Sequence, residues 1–135
     1  MTDHNMINFE KALEAVKDAE KEFNVNVNWY PIDRDEDFCE AIEIVLPIPS
    51  HDELGHRVTQ RVAKEYGVKL GHEVYIPEDM STPLRDYHYF ALKVEKIEDI
   101  KSGVSTLVKA KKTLEEKTDK LYDRLVDLGL DIKEV

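Results

Sequence analysis

Residues 24 to 48 read NVNVNWYPIDRDEDFCEAIEIVLPI, and this stretch sets the fold class. Its first part alternates asparagines with apolar residues, so that Val25, Val27 and Trp29 share one face, as in a half-buried strand. The polar run DRDED follows and predicts a turn. The chain from Phe38 to Ile48 then alternates again. Two alternating segments joined by a short polar turn predict a β-hairpin.

Helical periodicity flanks the hairpin on both sides. Residues 1–24 carry apolar side chains at three- and four-residue spacing, which predicts an N-terminal helix. The sheet region, 25–97, also contains a helix at about 51–66, which we expect Gly67 to end. Residues 98–128 predict one long helix, roughly 46 Å in length at 1.5 Å per residue.

The element order α-β-β-α-β-β-α indicates the α+β class. We expect an antiparallel four- to five-stranded sheet covered by helices, with a long C-terminal helix. At 135 residues the chain fits a single domain, 1–135. The last residues, LDIKEV at 130–135, can add an edge strand, and strands two to five would then have a ferredoxin-like order. Both topologies stay open at this stage.

Composition narrows the functional classes. The formal net charge is −10, which disfavours binding to phosphate backbones, so we expect no direct nucleic-acid binding. Cys39 is the single cysteine and excludes an internal disulfide. The sequence has no apolar run close to the roughly 18 residues of a membrane span. We therefore expect a cytoplasmic protein that does not enter a membrane.

An acidic patch is predicted around the DRDED turn. Eight carboxylates fall between residues 33 and 53, with Arg34 as the single cation. Asp33, Asp35 and Asp37 begin like a calcium-binding loop, but the glycine and the final glutamate of such a loop are missing, so a solvated turn is the favoured interpretation. The patch comprises Asp33, Asp35, Glu36, Asp37, Glu40 and Glu43.

The segment PSHDELGHRV, residues 49–58, resembles a zinc-hydrolase helix only at first sight. His51 and His56 are five residues apart, so on a helix they point about 140° away from each other. Ser50 followed by Glu53 is the spacing of a capping box. The stretch therefore predicts the start of a helix.

Two inward-facing histidines on later strands form a weak candidate ligand site, together with Tyr89. His72 and His88 lie on the apolar faces of two strands that we expect to pair around residue 82. This register would separate the histidines by about 13 Å, too far for one metal ion. Histidines at the edge of the core are the favoured interpretation, and a ligand-contacting pair is the alternative.

Catalytic motifs are not recognisable in the sequence. Cys39 has no basic neighbour to lower its pKa, and the five glycines do not form a phosphate-binding loop. We therefore lean towards a protein that is not an enzyme, and we expect no metal and no cofactor.

A seven-residue apolar repeat in the last helix is the strongest signal for association. The N-terminal helix carries a matching stripe, so either that helix or the same helix of a second chain can cover the repeat. A symmetric homodimer is our expectation. The predicted interface residues are Ile100, Val104, Leu107, Leu114, Leu121, Leu125 and Leu128, with Phe9, Val16 and Phe23 from the N-terminal helix.

Three functional hypotheses follow. The first is a protein-binding module that acts as an adaptor, regulator or chaperone. In element order, size and acidity the chain resembles the class I type III secretion chaperones, which implies a dimer that binds an extended segment of its partner. The second is an acidic decoy that inhibits a nucleic-acid-binding protein. The third is a small ligand-binding protein or enzyme with a pocket near His72 and His88.

Overall fold

The computed structural model describes residues 6–48, 53–75 and 85–127. The predicted α+β class and the long C-terminal helix are confirmed. No helix within these ranges combines the length and the apolar character that crossing a membrane requires. The elements are β1 (Ile7–Asn8), α1 (Phe9–Phe23), β2 (Asn28–Ile32), β3 (Phe38–Cys39), β4 (Ala41–Ile48), α2 (Glu53–Tyr66), β5 (Lys69–Tyr75), β6 (Arg85–Val94) and α3 (Ile100–Asp127), with a turn of 3₁₀ helix at Ile97–Asp99.

The main sheet has four antiparallel strands in the order β2-β4-β6-β5. The predicted hairpin is confirmed, because β2 pairs with β4 and places Tyr30 opposite Glu43. Both β4 and β5 pair with β6, as in the first half of a ferredoxin-like fold. The place beside β4 that the last strand of that fold would take is occupied by β2. The predicted tail strand, 130–135, lies outside the described residues.

The strand predicted from Phe38 to Ile48 is interrupted at Glu40, which corrects the sequence interpretation. Ahead of the interruption, the short strand β3 pairs with β1 and sets Cys39 opposite Ile7. Both side chains are buried, and the Cys39 thiol lies 3.8 Å from the carbonyl oxygen of Ile7. The chain changes strand partner here, because Phe38 and Cys39 pair with β1, whereas β4 pairs with β2 and β6.

The helix ends follow local sequence signals. The Asn8 side chain accepts the backbone N–H of Lys11, 3.1 Å away, and so caps the start of α1. Gly67 ends α2 in the left-handed conformation, as predicted, with a φ of 68°. Asn24 plays the same role after α1, with a φ of 51°. The predicted capping box at Ser50 lies outside the described residues.

The helices α1, α2 and α3 pack on one face of the sheet. Helix α3 contacts α1, α2, β4 and β6. It approaches the sheet most closely at Gly103, where a β-carbon added to the glycine would stand only 3.2 Å from Val94 Cγ2 and 3.3 Å from Leu92 Cδ2. A glycine at this point therefore lets the helix lie close to the strands.

The apolar repeat of α3 is covered by the same chain over most of its length. The first four predicted interface residues of α3 and Val16 of α1 belong to one core, and Phe23 packs against it, so intramolecular cover accounts for this part of the stripe. The Phe9 ring lies 5.0 Å from that of Trp29. Leu121 is half-buried, and the side chain of Leu125 and all of Leu128 lie outside what the structure describes. Among the predicted interface residues, those with no exposed surface are Ile100, Val104, Leu107 and Leu114.

The two edges of the sheet differ. Strand β2 has five residues and contains Pro31, which has no backbone N–H to donate to a further strand. Strand β5 has seven residues and no proline. Among the described strands, β5 is therefore the edge with the greater capacity to pair again.

Candidate functional site

The face of the sheet opposite the helices has its own small cluster of side chains. Val45, Tyr89 and Ala91 form this cluster, with Tyr87 packed against it. The helices bury the other face through the main core, which contains the alternate residues of the same strands. We call the surface with the small cluster the open face. Because strand residues alternate, every side chain on it is set by the register of β2, β4, β6 and β5.

Three tyrosines surround a cavity on the open face. The cavity has a volume of about 270 Å³, and Tyr30, Tyr87 and Tyr89 contribute the aromatic rings around it. Tyr30 is 53% exposed, whereas Tyr89 is only 8% exposed. The remaining lining residues are Asn28, Ile32, Glu43, Val45 and Glu73. We refer to this site as the tyrosine cavity.

Tyr89 is held flat against the sheet because its neighbour on β5 has no side chain. Gly71 lies directly opposite Tyr89, and a β-carbon added at Gly71 would overlap the Tyr89 ring. The ring therefore occupies the space of the missing side chain. An aromatic ring covering a cross-strand glycine is a known way to stabilise a sheet. This contact explains how Tyr89 becomes buried on a face that no described helix covers.

Tyr87 is fixed by its cross-strand neighbour. Its hydroxyl donates a hydrogen bond of 2.5 Å to Oε2 of Glu73, which lies opposite it on β5. This hydrogen bond, together with burial and the negative charge of Glu73, raises the pKa of Tyr87 to about 12. The centroids of the Tyr87 and Tyr89 rings are 6.2 Å apart, and the ring planes are tilted by 45°. The two rings form one wall of the cavity.

The composition of the tyrosine cavity suits a cation. Faces of aromatic rings attract ammonium and guanidinium groups, and Glu43 and Glu73 add two carboxylates to the lining. No lysine or arginine is among the described lining residues. An ammonium or guanidinium group is therefore the kind of group that the rings and carboxylates of this lining can hold.

The histidines occupy the other face, and the predicted register was wrong. His72 lies directly opposite His88, and the two rings stack with centroids 4.7 Å apart instead of the expected separation of about 13 Å. Paired residues of β5 and β6 are symmetric about position 80, whereas the prediction placed the centre at 82. Moving the centre by two positions changes the partner of each residue by four positions. His56 of α2 joins them, 5.4 Å from His88. Tyr89, which the sequence grouped with these histidines, points to the open face.

The stacked histidines are not arranged as a metal site. Ring nitrogen lone pairs lie in the ring planes, so two stacked imidazoles do not direct them at one point. Within the described ranges, no group of three His, Cys, Asp or Glu side chains is placed to hold a metal ion. Nε2 of His56 lies 3.3 Å from the side-chain nitrogen of Gln60. The cluster covers the edge of the core beside α2.

The acidic patch is divided in two. Asp33 and Glu36 adopt left-handed backbone conformations in the turn that connects β2 with β3, which confirms the predicted turn. Within that turn Arg34 donates from Nε to the carbonyl oxygen of Glu36 and lies over the Phe9 ring, 3.9 Å from its centroid. Five members of the patch, Asp33, Asp35, Glu36, Asp37 and Glu40, are exposed there. Glu43 is separate and belongs to the tyrosine cavity.

A larger depression of about 780 Å³ lies at the end of the sheet near this turn. Its lining mixes charges of both signs. The charged lining residues are Asp33, Glu40, Glu95, Glu98, Lys93 and Lys96. Lys93 is already paired with Glu95, 3.8 Å away, and a lining with both signs of charge selects the charge of a ligand only weakly. The tyrosine cavity is therefore the better defined site.

The sequence interpretation missed the tyrosine cavity. Alternation placed the tyrosines on strands, but their meeting depends on the register between β5 and β6. The signal that was available is a glycine within an alternating strand, Gly71, which often marks a close approach. No protein-family model, no curated protein and no solved structure matches this chain.

Proposed function

We propose that this protein is a non-enzymatic protein-binding module that holds a basic side chain of its partner in the tyrosine cavity. The single observation that carries the proposal is the lining of that cavity, which combines three tyrosine rings with two carboxylates. The open face around it has no helix among its described contacts, so a partner can reach the rings.

The character of the surface favours a protein partner over a small metabolite. Small-molecule pockets usually bury most of the ligand, whereas the tyrosine cavity, of about 270 Å³, lies on the sheet surface and is lined in part by Tyr30, which is 53% exposed. Tyrosine is enriched at protein interfaces, where its ring and hydroxyl both make contacts. The net charge of −10 would also increase the rate of encounter with a basic partner.

A set of short peptides tests the proposal. Each peptide has a Gly-Ser sequence with a central Arg, Lys or Gln, and binding is followed by NMR chemical-shift changes of the protein. We expect the Arg and Lys peptides to shift resonances of Tyr30, Tyr87 and Tyr89 and the Gln peptide to leave them unchanged.

Matched variants locate the binding. Tyr30→Ala removes an exposed ring of the cavity, and a cation–π contact contributes about 0.5–2 kcal/mol, so affinity should fall about 2- to 30-fold. Glu43→Gln should weaken binding as well. Phe38→Ala is the control, because Phe38 is 42% exposed but lies on β3 and does not line the cavity.

Two results would contradict the proposal. Equal binding of the Arg and Gln peptides would remove the role of the cation. Binding that is lost in Asp35→Asn but kept in Tyr30→Ala would assign recognition to the acidic turn, as the decoy hypothesis requires.

A further inference from the structure

We propose that two copies of this chain form a symmetric dimer by pairing their β5 strands edge to edge, with Gly71 at the two-fold axis. The first observation is the topology, because β5 is an edge of the described four-stranded sheet and carries no proline over its seven residues. Pairing would join two sheets into one of eight strands. The inference is carried by the strand edge and not by the tyrosine cavity, and the two proposals share Glu73.

Charge complementarity sets the register. In an antiparallel pair centred on Gly71, residues whose numbers add to 142 lie opposite each other. Lys69 of each copy then lies opposite Glu73 of the other copy, so the symmetric contact contains two pairs of opposite charge. Both side chains are exposed and lie on the open face. Opposite charges directly across a strand pair are favourable, and like charges are unfavourable.

Neighbouring registers lose this match. Moving the axis by one residue to His72 sets Lys69 opposite Tyr75 and Glu73 opposite Gly71. Moving it to Leu70 sets Lys69 opposite Gly71. A one-residue shift of the axis changes every cross-strand pair by two residues, so side chains keep their face but exchange partners. The axis at Gly71 is the register among these three that pairs Lys69 with Glu73.

The glycine also suits the axis sterically. At the axis the two Gly71 residues would approach to the spacing of neighbouring strands, about 4.8 Å, with no side chains between them. The Tyr89 ring already covers Gly71 within each copy. The two Tyr89 rings would therefore meet over the axis and cover the new backbone hydrogen bonds from the open face.

Charge reversal provides the test. We compare the wild-type protein with Lys69→Glu and Glu73→Lys by sedimentation velocity over a range of concentrations. The wild type should be a dimer that dissociates on dilution. Each single variant places like charges opposite each other twice, and we expect its dimerisation to weaken about tenfold or more.

Mixing the two variants gives the sharpest result. The Lys69→Glu chain then carries two glutamates on β5 and the Glu73→Lys chain carries two lysines, so the proposed register pairs opposite charges in the mixed dimer alone. One of the two chains is labelled uniformly with 15N, because the substitutions alone barely change the mass, and native mass spectrometry should then detect the heterodimer between the two homodimers. Lys109→Glu is the matched control, because Lys109 is exposed on α3 and the charge change is the same.

Three outcomes overturn the proposal. The first is a wild-type protein that is monomeric at every concentration. The second is a dimer that forms equally well in Lys69→Glu and in Glu73→Lys. The third is a mixture of the two variants in which no heterodimer forms. If the wild type is monomeric but dimerises when residues 128–135 are removed, those residues of the same chain, and not a second copy, occupy the β5 edge. Tyr30→Ala should leave dimerisation unchanged, because Tyr30 lines the cavity from β2, at the opposite edge of the sheet from β5, so failure of the two proposals can be distinguished.

Discussion

Replacing Gly71 by alanine should change the stability of the protein in opposite directions, depending on whether Tyr89 is present. In the wild-type protein the new methyl group would overlap the Tyr89 ring, which must then leave the place where it is packed. The ring is 8% exposed and forms a cluster with Val45 and Ala91, so its displacement also exposes those contacts. We expect Gly71→Ala to be destabilising in the wild-type background.

The magnitudes follow from the contacts. Forcing an additional carbon into a packed site costs about 1–3 kcal/mol. The backbone of Gly71 is not in the left-handed region, so alanine itself fits the strand. In a Tyr89→Ala background the steric conflict is absent, and alanine in place of glycine within a strand should then stabilise by about 0.5–1 kcal/mol. The coupling between the two sites is therefore about 1.5–4 kcal/mol.

A double-mutant cycle measures this coupling. Wild type, Gly71→Ala, Tyr89→Ala and the double variant are unfolded in urea and followed by circular dichroism. Two protein concentrations are used, because Gly71 also lies at the proposed dimer axis. For a chain of this length 1 kcal/mol corresponds to about 4 °C in Tm, so thermal melting provides a second measure. Equal effects of Gly71→Ala in both backgrounds would refute the steric explanation.

Three further predictions concern single groups. Thr118→Val should stabilise the protein by about 1–2 kcal/mol, because Oγ1 of Thr118 is buried with no hydrogen-bond partner among the described residues. Thr113→Val should destabilise it by about 0.5–1.5 kcal/mol, because it removes the 2.6 Å hydrogen bond to the Tyr66 hydroxyl of α2. Urea unfolding compares the two variants, and a loss of stability in Thr118→Val would contradict the first expectation. Tyr87 should ionise at about pH 12 in an absorbance titration, and Glu73→Gln should lower that pKa. Since the folded-state pKa is above the ordinary value of 10, the stabilisation from this group is complete below pH 10 and is lost as the pH rises through about 12; an unchanged titration in Glu73→Gln would oppose the assignment. Burial raises the pKa of the Cys39 thiol, so a thiol reagent should modify Cys39 slowly in the folded protein and rapidly in urea, and fast modification of the folded protein would contradict its burial.

Local patterns in the sequence were sufficient for the fold class. The alternation around Trp29, the change to helical spacing and Gly67 each report the conformation of a few adjacent residues, and the elements begin and end within a few residues of the expected positions. The interruption at Glu40 was not predictable in the same way. It depends on the burial of Cys39 beside Ile7, and pairing between such distant segments leaves no periodic signal.

The candidate site required information that the sequence did not contain. The stretch between β5 and β6 allows turns centred at several positions, and each choice moves His72 to another partner. The same choice decides whether Gly71 meets Tyr89, and therefore whether a cavity exists. The heptad pattern around Leu107 shows that these side chains need to be buried. It does not show whether the same chain or a second chain buries them. Only the packing of α3 against α1 and the sheet distinguishes them.

Pro31 has a consequence for the size to which the sheet can grow. If both edges of a sheet can accept another strand, copies of the chain can add without limit, as they do in a fibril. Here the β2 side lacks a donor at Pro31 and is short. In the proposed dimer, addition of copies through the described main sheet would therefore stop once the β5 edge has been used.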